Sequence, residues 1–199
     1  MSEKKTDKNA LTGRRLVALS APSGAGKSTI CHYLIERNPD FRLSISATTR
    51  LPRGNEVDGK DYFFLSLEEF QKKIQSKDIL EYEEIHGNYY GTFKSTVFDM
   101  LETGYTVLFD VGVFGALSIK EQFPEALLIF IKPPSISELR KRLKKRKTED
   151  SAKIEYRLSR LPLEYSKAEL FDVQVVNDDL FRTVEEIEQI IFAHQKTEK

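Results

Sequence analysis

Several features that mark secreted, membrane-bound or strongly charged proteins are missing from this chain. It has one cysteine in 199 residues, Cys31. No internal disulfide can form, and this usage fits a reducing compartment. No apolar run is long enough to span a bilayer, and the opening "MSEKKTDKNALTG" lacks the apolar core of a secretory signal. Residues 1–13 read as a loose tail, and the expected location is cytoplasmic. Lys+Arg and Asp+Glu both total 31, a formal net charge of zero. That balance gives no electrostatic case for nucleic acid. The dense basic run "RKRLKKRK" at 140–147 lacks interleaved aromatics, so neither nucleic acid nor a membrane is expected as a partner. His32, His86 and His194 belong to no catalytic pattern and read as structural or solvent-facing. Nothing in the sequence sets an oligomeric state.

What is present suits one globular domain with inserted lobes: 40% of residues are hydrophobic and 31% charged. Residues 15–21, 106–111, 127–132 and 173–177 are short, nearly continuous apolar runs, as strands covered on both faces are. A fifth strand, 42–49, alternates as a half-covered one would. Capping boxes at Ser66/Glu69, Ser135/Glu138 and Thr183/Glu186 predict helix starts. Strands alternating with helices imply an α/β fold with a doubly wound parallel sheet, whose ligands sit off the carboxyl ends of the strands. Residues 46–93, rich in Gly, Tyr and acidic side chains, and residues 135–170, helical and highly charged, fit this alternation poorly. They read as two lobes inserted in a core of 14–45, 94–134 and 171–199.

The strongest motif is "SAPSGAGKST", residues 20–29. A strand, a small-residue turn and a helix are the context that a phosphate-binding loop needs. Gly24 and Gly26 let successive backbone N–H groups face one anion, and the helix N-terminus adds its positive dipole end. Ser23, Gly24, Ala25, Gly26, Lys27, Ser28 and Thr29 are the expected ATP contacts. Lys27 is expected on the β/γ-phosphates and Ser28 on Mg²⁺. The pattern G-x-x-x-x-G-K-S/T asks for glycine where Ala21 stands. Alanine costs little there if the strand simply ends with negative φ. Asp110, closing "TVLFD", would lie beside the loop as a second Mg²⁺ ligand. A regulatory GTPase would also carry N-K-x-D after a late strand, and "VNDD" at 176–179 lacks the lysine.

"SISATTRLPRGNEVDGKDYFF", "ILEYEEIHGNYYGT" and "FDVQVVNDDL" together resemble the guanylate kinase family, in its order and spacing, over about residues 15–192. The resemblance implies transfer of phosphate from ATP-Mg²⁺ to GMP. It also implies a P-loop core, a GMP-binding lobe of mixed strands at 46–93 and a helical lid at 135–170. It assigns Arg50, Arg53, Tyr62 and Tyr90 to the GMP phosphate, and Glu81, Ser46 and Thr92 to the guanine. Two neighbouring guanidiniums can grip one phosphate through forked bonds, and a carboxylate can accept from both N1–H and the 2-amino group. Arg142, Arg146 and Arg157 would close over the ATP phosphates as catalytic lid residues beside Lys27. The chain departs from the family at three places. Gly112 replaces a carboxylate expected near the guanine amine, a loss of ~1–3 kcal/mol if nothing compensates. Phe114 is unusual, and Lys147 stands where the lid has glycine. Two other readings stay open: a catalytically weak guanylate kinase-like binding module, toward which Gly112 leans, and a kinase for another nucleoside monophosphate.

Overall fold

The computed structural model describes residues 13–85, 87–145 and 151–196. The expectations for the tail before Gly13, for His86, and for Arg146 and Lys147 lie outside them.

Five strands form an all-parallel sheet in the order β2-β7-β1-β8-β9: β1 (Leu16–Ser20), β2 (Phe41–Leu43), β7 (Thr106–Asp110), β8 (Leu127–Lys132) and β9 (Val173–Val176). Side chains alternate across a strand, so a continuous apolar run supplies two faces at once. Leu16 and Ala18 of β1 face a core with Val107, Phe109, Leu128 and Phe130. Val17 and Leu19 face the opposite core with Leu108, Ile129 and Val175. The second face is covered by Ile30 and Leu34 of α1 (Lys27–Arg37) and by Val184, Ile187 and Ile191 of α8 (Leu180–Lys196). The first face is covered by Val97 and Leu101 of α3 (Lys94–Glu102) and by Ala116 and Ile119 of α4 (Val113–Gln122). Helices on both faces make the sheet doubly wound, as the alternation predicts.

A second, mixed sheet has the order β4-β3-β6-β5, built from β3 (Ser46–Thr48), β4 (Phe63–Phe64), β5 (Ile79–Ile85) and β6 (Asn88–Phe93). The helix α2 (Leu67–Gln75) opens with the expected capping box, Ser66 and Glu69 bonding each other's backbone N–H. After β8 the chain forms α5 (Ile136–Lys145), α6 (Ser151–Ser159) and α7 (Leu161–Ala168). Leu139, Leu143, Ile154 and Leu161 join these three around a small core of their own.

Two local expectations are corrected. The alternating run 42–49 is not one strand: Phe41–Leu43 pairs with β7 in the parallel sheet, and Ser46–Thr48 pairs with β6 in the mixed one. The chain changes sheets at Ser44–Ile45, so its alternation reflects two half-covered strands. Thr183 does not open a helix either. It lies inside α8, where its hydroxyl donates to the Asp179 carbonyl at 2.7 Å, while Asp179 Oδ1 accepts from Arg182 N–H at 2.9 Å as the cap. At Ser135 only half the box forms, with Glu138 N–H donating to the serine hydroxyl at 3.1 Å.

Candidate active site

The carboxyl end of β1 leads into the glycine loop. Gly24 and Gly26 have φ of +93° and +102°, a region that L side chains rarely adopt. Both positions are also crowded: a Cβ at Gly26 would lie 2.5 Å from the Asn177 side-chain nitrogen, and one at Gly24 2.9 Å from Leu143 Cδ2. Ala21 is not among the positive-φ residues, so the missing glycine leaves the loop unstrained. The Ala25 carbonyl is held by Asn177 Nδ2 at 2.7 Å, which turns the loop's donors away from it.

Lys27 and Ser28, in the first turn of α1, converge on Asp110 at the end of β7. Lys27 Nζ lies 2.7 Å from Asp110 Oδ1 and donates to the Val111 carbonyl at 2.7 Å, while the Ser28 hydroxyl donates to Asp110 Oδ2 at 2.7 Å. Burial pulls the Lys27 pKa down, but Asp110 outweighs it and the net shift is upward. The lysine is therefore a permanent cation at the head of the loop. Cys31, one turn further along α1, is buried, and burial pushes its thiol well up, which leaves it unreactive.

A cleft of about 300 Å³ runs from this loop to the mixed sheet, within the range of small-molecule sites. Ser23, Gly24, Gly26, Lys27 and Ser28 line one end, and Ser46, Arg53, Tyr62, Glu81 and Tyr90 the other, with Asp110 and Gly112 between and Arg157 above. Thr29 is exposed outside the cleft, and Ala25 is fully buried beneath it. Arg50 is buried behind the lining, where both its terminal nitrogens meet the Glu56 carboxylate at 2.9 Å. The Glu56 bond raises the Arg50 pKa further and holds the guanidinium over the Tyr62 ring, 5.1 Å from its centroid. Arg53 is exposed, and its backbone N–H donates to Glu56 at 2.7 Å.

Glu81 is buried on β5, and the Thr92 hydroxyl of β6 donates to its Oε1 at 2.8 Å. Burial pushes its pKa to about 7, with the Thr92 bond pulling the other way. A hydroxyl has one proton, so in this arrangement Thr92 orients the carboxylate rather than offering a donor of its own. Of the arginines in the charged helices, Arg157 donates to the Ser23 hydroxyl. Arg142 reaches the Ala25 and Asn177 carbonyls at 3.5 and 3.3 Å and pairs with Glu138 at 3.2 Å. His32 is exposed, the His194 ring meets the Glu125 carbonyl at 2.9 Å, and neither lines the cleft.

Among the charged lining residues that sequence reasoning missed are Glu83, Arg160 and Glu164. Glu83 lies two residues beyond Glu81, on the same face of β5. Its carboxylate fills the space above Gly112, where an added Cβ would lie 2.1 Å from Oε2. The expected gap at Gly112 is therefore filled by a carboxylate from another strand. The period-2 spacing was a visible signal, hidden by the run of acidic residues around it. Arg160, at the start of α7, lies 3.6 Å from Glu83 Oε1 and 4.0 Å from Glu164.

The family model described as guanylate kinase matches residues 13–194. The guanylate kinase of Salinibacter ruber is 50% identical over 175 residues, covering 87% of this chain and 93% of its own. That of Caldanaerobacter subterraneus subsp. tengcongensis is 48% identical over 180 residues, covering 90% and 87%. Among solved structures, guanylate kinase from Anaplasma phagocytophilum is similar with a TM-score of 0.77 and 33% identity, over 92% of this chain and 86% of that one.

Proposed function

Because this chain belongs to the guanylate kinase family, we propose that it transfers the γ-phosphoryl group of ATP to GMP, giving ADP and GDP. One observation carries the reading: a phosphate loop and a buried carboxylate with its own orienting hydroxyl share one cleft. The first suits a nucleoside triphosphate. The second suits a base with adjacent donors, and guanine presents N1–H beside a 2-amino group. Adenine presents an acceptor at N1, which Glu81 would repel when ionised. Such a mismatch leaves buried polar groups unpaired and discriminates strongly.

Ser23 to Thr29 would cradle the ATP phosphates, and Lys27 would hold the β/γ end. Arg53, Tyr62 and Tyr90 would hold the GMP phosphate, with Arg50 fixed behind them by Glu56. Ser46 would donate to the guanine. Arg142, Arg146 and Arg157 would supply further positive charge from 135–170, acting as a lid over 14–45, 94–134 and 171–199. Residues 46–93 would act as the acceptor lobe. Ser28 and Asp110 fit Mg²⁺: a hydroxyl and a carboxylate already converge to 2.7 Å, both are hard oxygen donors, and this ion takes few protein ligands beside phosphate and water. When bound it would neutralise phosphate charge. The acceptor is already an anion, so transfer needs positioning and charge neutralisation rather than a strong base. Closure would keep water from the γ-phosphoryl group.

The test is GDP formation from ATP and GMP with Mg²⁺, against AMP as the competing acceptor. GDP formation with strong preference over AMP supports the reading, and equal use of AMP or no transfer overturns it. The binding-module alternative leaned on Gly112, and Glu83 fills that gap.

A further inference from the structure

Glu83 and Glu164 are the acidic side chains of the cleft lining that the reaction above leaves unused; Glu164 lies on α7 beside Arg160, and Glu83 lies beside Glu81. The Glu83 side chain is only 9% exposed. Oε1 faces Arg160 at 3.6 Å, while Oε2 is buried and has no hydrogen-bond partner among the described residues. Burial raises its pKa against the opposing pull of the Gly115 N–H, Arg160 and the Phe114 N–H. A buried acceptor without a partner is costly; the Glu83 side chain borders the ligand cleft, while Oε2 itself is covered at the Gly112 end.

Its neighbourhood explains how it arrives there. Glu81 and Glu83 project from the same face of β5 onto the first turn of α4. Each rests against a glycine: a Cβ at Gly115 would lie 2.4 Å from Glu81 Oε2, and a Cβ at Gly112 would lie 2.1 Å from Glu83 Oε2. No other residue type fits at either position without moving a carboxylate. The two glycines therefore seat two acidic side chains next to each other in one lining.

We propose that Glu83 is a specificity-determining residue for the acceptor base, its carboxylate turning into the cleft to accept a hydrogen from the exocyclic 2-amino group of guanine. This rests on the reading given under Proposed function. Glu81 takes N1–H and one amino hydrogen, which leaves the second amino hydrogen for Glu83. Two carboxylates then match three adjacent donor hydrogens, and Arg160 balances the extra charge from the far side of Glu83.

The discriminating pair of substrates is GMP and inosine monophosphate, which differ only in that amino group. Steady-state kinetics on the full chain should show Glu83→Ala losing about ten- to a hundredfold in kcat/KM for GMP, mostly in KM, with little change for inosine monophosphate. Gly112→Asp added to Glu83→Ala should recover much of the preference, since the emptied space admits the new side chain. Gly112→Asp alone should weaken both substrates, because its Cβ meets Glu83. If Glu83→Ala folds poorly, Glu83→Gln keeps the shape and should still narrow the GMP preference severalfold. A GMP-to-inosine monophosphate ratio unchanged in the variants, or an equal loss for both accompanied by a lower melting temperature, overturns the inference and makes Glu83 a partner of Arg160 and α4 only. Should the wild-type chain phosphorylate neither nucleotide, the activity reading fails. Calorimetric binding of the two nucleotides to wild type and Glu83→Ala then decides the role of Glu83 by the same ratio.

Discussion

Thr92 and Glu81 sit opposite each other on neighbouring antiparallel strands, and the Thr92 hydroxyl donates to Glu81 Oε1 at 2.8 Å. The bond holds a buried carboxylate at a pKa of about 7 instead of letting burial drive it higher. Glu81 must be ionised to accept from guanine, so GMP binding favours the deprotonated form. KM for GMP is expected to fall as pH rises through about 7 and to level off above it. Thr92→Val removes a donor to the charged form and should move that limb about one unit to the alkaline side. Kinetics between pH 5.5 and 9 (roughly the span of the limb and its plateau) check both.

The same shift has a consequence for folding. Glu81 ionises at a higher pH in the native state than its ordinary value of 4.5, so the native chain binds more protons than the unfolded one between those pH values. Its contribution to stability is therefore greatest at low pH, falls as pH rises from about 4.5 to about 7, and is flat above. Urea midpoints measured across that window should lose part of their downward slope in Glu81→Gln, a neutral side chain of the same shape.

Lys27 bridges the Asp110 carboxylate and the Val111 carbonyl at the head of the loop. Lys27→Met is expected to lower kcat by about a hundredfold or more while changing KM for GMP little, since the charge acts on the moving phosphoryl group. An equal effect on GMP binding would place Lys27 outside the transfer step.

Gly24 and Ala21 should respond in opposite ways to exchange of glycine and alanine. Gly24→Ala meets a positive φ and Leu143, and is expected to cost ~1–2 kcal/mol with a raised KM for ATP. Ala21→Gly relieves nothing, so activity should stay within about twofold while stability drops by ~0.5–1 kcal/mol through the freer unfolded chain. Thermal melts and ATP titrations of the two variants give the comparison.

Arg50 meets Glu56 through two parallel bonds. Arg50→Lys cannot reproduce that fork and leaves the Tyr62 face without its planar partner. KM for GMP should rise by about tenfold, with ATP binding unchanged.

The parallel sheet and the phosphate loop were legible because they are written locally. Apolar runs of strand length, and Gly24, Gly26, Lys27 and Ser28 in consecutive order, carry their meaning within ten residues. The split at Ser44–Ile45 was not legible, since alternation reports a half-covered strand without saying which sheet covers it. Thr183 fits the capping-box spacing with Glu186, but the pattern does not exclude a start one turn earlier, where Asp179 takes the Arg182 N–H. Gly112 read as a loss for a different reason: a vacancy in one segment can be filled from another, and only the packing of β5 on α4 shows Glu83 doing so.

β1 lies in the middle of its sheet but near the start of the chain. Its neighbours β7 and β8 come much later, and Ser28 meets an aspartate 82 positions further on. During synthesis this fully buried strand therefore emerges long before either flank exists, with both its edges open to misplaced pairing. Contacts this distant in sequence also make folding slow. The phosphate loop can take its final shape only after the strands on both its flanks have been made.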